Sequence, residues 1–277
     1  DNPEVMLKPF EKAITQGQDV TYDMYPYIAA GTHLSQMLPE WVQEGGINKM
    51  LIRIRNPIFR KKTLASLKLG WFKGLPWDWG KIIISFVNSR KNTSLVGKTI
   101  EDIAIEWKRE PEDVFLQLID KENNQVGCIM INRREDNIQY FMNQPYAMFG
   151  SDGNAISKSG IYSHDKPHPR FYGCYPRIFG HYVREESVLS LEEAVYKSTG
   201  FPSWRMGFKK RGTLKVNNYA DIIIWNPDTI IDKSTFQDPH HYAEGIIYVW
   251  VNGIQVVKDG QHTGERPGRV IRRGNNN

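Results

Sequence analysis

The alternation of apolar and polar positions predicts short strands separated by amphipathic helices over the first 150 residues. In DVTYDMYPY (residues 19–27), Val20, Tyr22 and Met24 fall on one side, which is the two-residue period of a strand that Pro26 ends. The apolar runs KIIISFV, VGCIMI and YAMF predict three more strands. Segments with helical spacing separate them, and TIED and EPED supply N-terminal helix signals. This order of elements is typical of an α/β protein.

Two side chains that can carry chemistry stand at the predicted carboxyl ends of strands. Asp152 follows the strand in YAMFGSDG, and Tyr25 follows the strand that contains Asp23. Alternating strands and helices favour a parallel sheet or an α/β barrel, and barrel enzymes project their catalytic groups from the carboxyl ends of strands. Asp152 is therefore a candidate catalytic acid. A lone aspartate in Ser-Asp-Gly is also a common turn or helix cap, and the pattern alone leaves both interpretations open.

The chain changes character after residue 204, and we predict a domain boundary there. Residues 1–204 hold the strand–helix alternation, with an inserted helical segment within residues 28–97. Residues 205–277 read as a small β domain, in which Asn252-Gly253 is a strong signal for a hairpin turn.

A helix is predicted over residues 190–200, just before this boundary. Ser190 is its expected N-cap, and Glu193 completes a capping box. Gly200 is expected to close the helix, because glycine adopts the left-handed conformation found at many helix ends.

Composition bounds the class of protein without choosing a function. A chain of 277 residues with 40% hydrophobic and 24% charged positions can build a real core. No apolar run approaches the ~20 residues of a membrane-spanning helix, and the first residues lack the pattern of a signal peptide. Cys128 and Cys174 show neither a disulfide framework nor metal-ligand spacing, which suits a reducing compartment. We therefore predict a cytoplasmic protein without a membrane partner.

The net charge of +5 is concentrated between Gly45 and Trp77, where eight basic residues and no acid occur. Such a stretch can mark a nucleic-acid surface. It is more often a solvated helical face, because cation clusters are common on protein surfaces, and Asn56 followed by Pro57 predicts the start of a helix within it. We favour the solvated face and predict no nucleic-acid partner.

Several motifs occur together and in order: DVTYDMYPYIAAGTHL, FGSDG, HPRFYGCYPRIFGHYVRE, LSLEEAVYKSTGFPSWRMG and GQHTGERPGRVIRR. The set resembles the D-aminoacylase (N-acyl-D-amino-acid deacylase) branch of the amidohydrolase superfamily over nearly the whole chain. The resemblance is to the C-terminal half of that family. It implies the C-terminal part of a TIM-like (β/α)8 metal-dependent hydrolase barrel, followed by part of a small β-sandwich domain.

The resemblance also implies a reaction and roles for three residues. Family members use zinc to activate a water molecule that attacks the amide of an N-acyl-D-amino acid. Asp152 matches the acid that contacts the metal and carries the proton from water to the leaving amine. Arg170 matches the residue that binds the substrate carboxylate, and Tyr25 a tyrosine at the same end of the pocket. The plainer alternatives are a surface ion pair for Arg170 and a core aromatic for Tyr25.

The histidines depart from the family pattern. Seven are present, none forms His-x-His, and none precedes Tyr25. His164 and His168 have a suitable spacing for zinc on a helix, but Pro167 and Pro169 argue against a helix there, so His168 is expected to orient the His-Pro-Arg turn.

We therefore expect a partial copy of the deacylase that lacks most metal ligands and depends on a missing N-terminal half or a partner chain. Two alternatives remain open. One is a catalytically inactive fragment that acts as a binding or structural piece. The other is a cyclic amidohydrolase of the hydantoinase or dihydroorotase kind.

Overall fold

The computed structural model describes residues 2–71 and 74–272, and it shows an α/β arrangement. The helices within these ranges are α1 (Pro3–Thr15), α2 (Glu40–Gln43), α3 (Ile47–Arg55), α4 (Pro57–Lys68), α5 (Ile100–Trp107), α6 (Pro111–Lys121), α7 (Glu135–Met142), α8 (Arg170–Arg177), α9 (Leu191–Ser198) and α10 (Gly200–Met206). The strands are β1 (Tyr22–Met24), β2 (Ala29–His33), β3 (Ile82–Val87), β4 (Val126–Ile131), β5 (Ala147–Phe149), β6 (Ile222–Trp225), β7 (Ile246–Val251), β8 (Ile254–Lys258) and β9 (Gln261–His262).

These strands form three sheets. The short strands β1 and β5 pair in parallel, with Tyr22 opposite Ala147 and Met24 opposite Phe149. The strands β2, β4 and β3 form an antiparallel sheet with β4 in the centre. The strands β6 to β9 form an antiparallel meander in chain order.

The expectation that the early strands form one parallel sheet is wrong for β3 and β4, which are antiparallel. A strand buried on both faces reads as a continuous apolar run, and such a run does not encode the direction of its neighbour. The strand β2 was not predicted, because its residues Ala29–His33 include glycine and two alanines, which are weak strand formers. The parallel relation holds only for the pair β1 and β5 in the described chain.

Helix starts follow the predicted capping chemistry. Thr99 and Asp102 form a capping box at α5, Ser190 and Glu193 form another at α9, and Asn56 caps α4. Gly200 was expected to close α9, but it does not. It is instead the first residue of α10, and the left-handed turn that ends α10 lies at Gly207, with φ +76°.

The main hydrophobic core lies between the antiparallel sheet β2–β4–β3 and helices α2 to α6. Its fully buried members include Ile84 of β3, Cys128 of β4 and Phe115 of α6. The segment includes residues 28–97, where the sequence predicts an inserted helical segment, and it extends beyond them through β4; its assignment as an insertion stays a prediction. A second, smaller core lies around β5 and contains Phe149 and Tyr182.

Two charges of the basic stretch are paired with carboxylates of α6. Arg55 pairs with Asp120 at 2.6 Å and Arg60 pairs with Asp113 at 2.5 Å. Lys73, which belongs to the same stretch, lies outside the described residues. Both aspartates belong to α6. The two pairs agree with the interpretation of the basic stretch as an ordinary helical face.

The segment after β5 positions the candidate site. It runs as an irregular loop to α8, which continues as a π-helical turn over Ile178–Glu185. Pro176 lies inside α8 and cannot donate a backbone hydrogen bond, and such a loss is commonly accommodated by local widening of a helix. Within the described ranges, no helix is both long and apolar enough to cross a membrane.

Candidate functional site

The carboxyl ends of β1 and β5 lie side by side and bring two of the candidate residues to one edge. The Gly150 amide donates to the Met24 carbonyl at 3.1 Å, so the pairing continues just past both strands. Tyr25 leaves β1 at this point, and Asp152 leaves β5 three residues after its end. The predicted placement of both side chains at strand ends agrees with this geometry.

Asp152 adopts a backbone conformation that few residues other than glycine adopt. Its φ is +45°, in the left-handed region, where aspartate is tolerated better than most side chains. Its side chain is 70% exposed, and the carboxylate pairs with the Arg170 guanidinium at 2.9 Å. The backbone carbonyl of Asp152 also accepts a hydrogen bond from Arg170 Nε at 2.8 Å. Arg170 therefore contacts both the side-chain carboxylate and the backbone carbonyl of Asp152.

Arg170 is the first residue of α8, and its side chain is only 5% exposed. Besides its contacts to Asp152, its Nη2 donates to the Gly31 carbonyl at 3.3 Å. Its Nη1 is buried and has no hydrogen-bond acceptor among the described residues. A buried donor without a partner is costly, so an anion that reached Nη1 would gain a charge-assisted hydrogen bond there.

Tyr25 stacks against two arginines. The Cζ atoms of Arg170 and Arg133 each lie 4.6 Å from the centroid of its ring. Guanidinium groups are attracted to the faces of aromatic rings. The structure therefore brings together all three residues that the sequence singled out, and it adds Arg133.

His168 is buried and hydrogen-bonded to the first residue of α8. Its Nε2 lies 2.9 Å from the Ala29 carbonyl, and its Nδ1 accepts the Arg170 backbone N–H at 3.1 Å. The pKa of His168 is lowered to about 3, chiefly by burial and also by the nearby charges of Arg170 and Arg133, against the opposing hydrogen bond to Ala29. The ring is therefore neutral near pH 7, with the proton on Nε2. As expected, it orients the His-Pro-Arg turn.

The sequence analysis did not identify Arg133 as part of this site. It follows β4, whose last residue Ile131 pairs with Ala29, and its backbone N–H donates to the Ile28 carbonyl at 2.9 Å. This register carries Arg133 back to the end of β1. The available signal was the run Asn-Arg-Arg directly after a buried strand. Which residues lie beside Arg133, however, depends on the antiparallel pairing of β2 and β4.

The described residues do not fit a complete zinc site by themselves. Residues 2–71 and 74–272 contain no group of three or more His, Cys, Asp or Glu side chains arranged to hold a metal ion. The Asp152 carboxylate is bonded to Arg170, and both ring nitrogens of His168 have protein partners. Burial raises the pKa of both thiols, Cys128 and Cys174, to about 12, which disfavours the thiolate that binds metals.

Comparison with known proteins points to one family. Residues 149–257 match the amidohydrolase family. Over 265 residues the chain is 31% identical to a D-aminoacylase of Alcaligenes xylosoxydans xylosoxydans, covering 96% of this chain and 44% of that protein. It is 35% identical over 255 residues to an N-acyl-D-aspartate deacylase of the same organism, covering 92% of this chain and 41% of that protein.

A solved structure shares the fold. The N-acyl-D-glutamate deacylase of Bordetella bronchiseptica, in complex with zinc and a phosphonate inhibitor, superposes with a TM-score of 0.69 at 27% identity. The match covers 97% of this chain and 46% of that one. The chain thus spans less than half the length of the relatives it matches. The α/β class is confirmed, while the assignment to part of a (β/α)8 barrel stays a prediction. By sequence and by fold, the chain is similar to D-aminoacylases and related N-acyl-D-amino-acid deacylases, and its residues 149–257 match the amidohydrolase family.

Proposed function

We propose that this chain forms the substrate-carboxylate and proton-transfer side of a site that hydrolyses the amide bond of N-acyl-D-amino acids. The observation that carries the proposal is the convergence of Asp152, Arg170 and Tyr25 at the carboxyl ends of β1 and β5. The similarity to a D-aminoacylase and to an N-acyl-D-aspartate deacylase names the substrate class.

Arg170 is the proposed binding residue for the α-carboxylate of the substrate. Its planar guanidinium can donate two parallel hydrogen bonds to a carboxylate, and its Nη1 has no protein acceptor among the described residues. Because Asp152, Gly31 and His168 hold the rest of the residue, little side-chain freedom remains to be lost on binding.

Asp152 is the proposed proton carrier. Its exposed carboxylate would accept a proton from the water that adds to the amide carbonyl carbon, and it would donate that proton to the nitrogen as the C–N bond breaks. The products are a carboxylate and a free D-amino acid. The Asp152 side chain is 70% exposed, so water reaches its carboxylate.

A zinc ion was expected from the resemblance, and the Bordetella relative contains one. The described residues do not make a metal site without further ligands, so we assign no step of the reaction to a metal. We propose that the remaining groups come from residues outside this chain, either a further part of the same polypeptide or a partner chain. In this proposal residues 1–204 are part of a (β/α)8 barrel, and residues 205–277 are part of a small β-sandwich domain.

A second candidate is a binding or structural piece without catalysis. The observation that favours it is the pairing of Asp152 with Arg170, because each of the two proposed site charges already has a partner. The two candidates differ in what they require of these residues. Hydrolysis requires that the pair opens to substrate, whereas a structural role requires only that the pair persists.

The test uses the gene product that contains residues 1–277, assayed on N-acetyl-D-methionine and on the amide of the same compound. Arg170→Lys keeps the positive charge but loses the planar fork. We expect kcat/KM to fall about 10- to 100-fold for the free carboxylate and much less for the amide. The matched control is Arg55→Lys, which alters an arginine–aspartate pair between α3 and α6. Equal losses on both compounds would make Arg170 structural, and absence of turnover in the unmutated protein would favour the second candidate.

A further inference from the structure

The segment 226–245, which joins β6 to β7, brings a buried carboxylate to the side of α8. The side chain of Asp232 is only 8% exposed. Its Oδ2 accepts a hydrogen bond from the Tyr27 hydroxyl at 3.2 Å and lies 3.6 Å from Arg177 Nη1. Asp232 therefore contacts both the chain that follows β1 and the last residue of α8.

The helix α8 lies so close to this segment that only glycine fits at the contact. A methyl group on Gly173 would lie 2.5 Å from the Asp232 Cβ and 2.8 Å from the Tyr27 hydroxyl oxygen. A methyl group on Gly180, in the π-helical turn that continues α8, would collide with the Ile230 carbonyl. Carbon atoms in van der Waals contact lie about 3.5–4.0 Å apart. The helix therefore has little freedom to shift against the segment.

One route leads from Asp232 to Arg170 through Tyr27. The Tyr27 ring meets the His168 ring edge to face, with the centroids 5.2 Å apart and an interplanar angle of 87°. This is an arrangement that aromatic rings prefer, so the two rings orient each other. His168 Nδ1 in turn accepts the Arg170 backbone N–H at 3.1 Å. A shift of Tyr27 would therefore reach the residue that is proposed to bind the substrate carboxylate.

A second route runs through Arg177, which lies about two turns after Arg170 on the same helix. Arg177 Nε donates to the Pro26 carbonyl at 2.8 Å, and Pro26 directly follows Tyr25. The Tyr25 ring stacks with Arg170, whose Cζ atom lies 4.6 Å from the ring centroid. Because Asp232 pairs with Arg177, it supports this connection between α8 and the end of β1.

We propose that Asp232 is a positioning residue, which holds α8 against the end of β1 so that the Arg170 guanidinium stays aligned with the substrate carboxylate. This inference rests on the proposed function. Among the described residues, Asp232 does not line the cavity that Asp152 and Arg170 line together. It therefore acts through Tyr27 and α8, and not by contact with the substrate.

The energetics of the buried carboxylate favour a role in geometry over a role in stability alone. Burial raises the pKa of Asp232, and the opposing effects of Arg177 and of the Tyr27 hydroxyl do not offset it. A buried ion pair contributes little net stability, because removing both charges from water is costly. In some proteins such groups instead fix one arrangement of the packed elements.

The test uses the gene product that contains residues 1–277 and compares N-acetyl-D-methionine with the amide of the same compound. Asp232→Asn keeps an acceptor for the Tyr27 hydroxyl but removes the charge that pairs with Arg177. We expect KM for the free carboxylate to rise about 5- to 10-fold, because a hydrogen bond from Arg170 is misaligned. The value of kcat should change less than about 2-fold, since binding energy common to ground and transition states is lost. KM for the amide should rise much less.

The matched control is Glu122→Gln. Glu122 is also a buried carboxylate, 1% exposed, and it accepts the Ser89 backbone N–H at 2.7 Å beside α6. The change should lower the urea midpoint and leave the ratio of the two KM values unchanged. If Asp232→Asn behaves in the same way, its role is only structural, and the inference is overturned.

A double-substitution cycle tests whether Asp232 acts through Arg170. In Arg170→Lys the planar fork that Asp232 is proposed to align is already lost. Adding Asp232→Asn should then raise KM for the free carboxylate by less than about 2-fold, whereas independent effects would multiply. Full multiplication would overturn the inference. Should Asp232→Asn not fold, Tyr27→Phe removes the donor to Asp232 and keeps the ring, and it takes the same place with an expected rise of about 2- to 5-fold.

If neither compound is hydrolysed, the proposed function fails, and hydrogen exchange decides the inference separately. The Arg170 backbone N–H is bonded to His168 Nδ1, and peptides covering residues 168–177 report its exchange by mass spectrometry. We expect these peptides to exchange about 5-fold faster in Asp232→Asn than in the unmutated protein or in Glu122→Gln, because the start of α8 opens more often. Equal exchange of these peptides in all three proteins would overturn the inference.

Discussion

The candidate site has two walls that differ in what holds them in place. The buried wall consists of Arg170 and His168, which are tied by hydrogen bonds to the carbonyls of Gly31 and Ala29. The open wall consists of the Asp152 carboxylate and Arg133, which face solvent. Both walls include charged side chains, but only the side chains of the buried wall are tied to the backbone of β2.

This difference separates effects on activity from effects on stability. A buried, hydrogen-bonded group contributes to folding, and changing it alters the protein whether or not substrate is present. An exposed ion pair contributes about 0–1 kcal/mol to stability, so changing its exposed member acts mainly on chemistry. Substitutions on the two walls should therefore give different combinations of lost activity and lost stability.

The largest effect is expected from Asp152→Asn on the open wall. Asparagine cannot take the proton from water, and proton transfer contributes about 10²- to 10⁴-fold to the rate. Stability should hardly change, because the carboxylate is 70% exposed. The measurements are kcat on N-acetyl-D-methionine and the urea midpoint of the same preparation.

Asp23→Asn is the control for this experiment, since Asp23 is an exposed carboxylate on β1 beside the same edge. It should retain nearly full activity. Turnover near the unmutated level in Asp152→Asn, with an unchanged urea midpoint, would remove Asp152 from the mechanism. A large loss of stability would instead show that Asp152, like the residues of the buried wall, contributes to folding.

The burial of His168, in the buried wall, makes the stability of the protein depend on pH. The pKa of His168 is lowered to about 3 in the folded protein, while an unfolded histidine titrates near ~6.5. Below about pH 6.5 the unfolded chain therefore binds more protons than the folded one, and stability falls as the pH falls. Between about pH 7 and 5.5 this effect should cost about 1 kcal/mol.

Urea unfolding at these two pH values checks this expectation. His168→Gln keeps a donor for the Ala29 carbonyl and has no titrating group, so its loss of stability on acidification should be smaller by about 1 kcal/mol. His164→Gln, at an exposed position in the loop before α8, should behave like the unmutated protein. The same pH dependence in all three proteins would show that His168 is not the group responsible.

The contrast between the walls also shows how far sequence reasoning reaches. Local signals identified the capping boxes at Thr99 and Ser190 and the turn at Asn252-Gly253, because each depends on residues close in the chain. The placement of Asp152 and Tyr25 at strand ends followed from apolar runs ending in polar residues. These features require no knowledge of distant partners.

The remaining features depend on pairings between distant segments. Arg133 reaches the site only because Ile131 pairs with Ala29, and an apolar run contains no information about that register. The helix α8 was not predicted, since Pro167 and Pro169 argue against a helix next to the His-Pro-Arg turn. In the structure Pro169 precedes the first turn, where no N–H is needed, and Pro176 lies where α8 passes into a π-helical turn.

The smallest effect is expected from Tyr25, which lies between the two walls. Its ring stacks with Arg170 and Arg133, while its hydroxyl makes no hydrogen bond within the described chain. Tyr25→Phe keeps the ring, so thermal stability should not change. If the free hydroxyl contacts substrate, as the resemblance implies, kcat/KM should fall about 2- to 10-fold, the worth of one neutral hydrogen bond.

Tyr25→Leu removes the ring as well and should also lower stability by about 1 kcal/mol, through the loss of the stacked cations. The control is Tyr219→Phe, because Tyr219 is stacked by Arg211 at 4.2 Å in another part of the molecule. It should leave both activity and stability unchanged. Full activity in Tyr25→Phe would leave the hydroxyl without a role in binding.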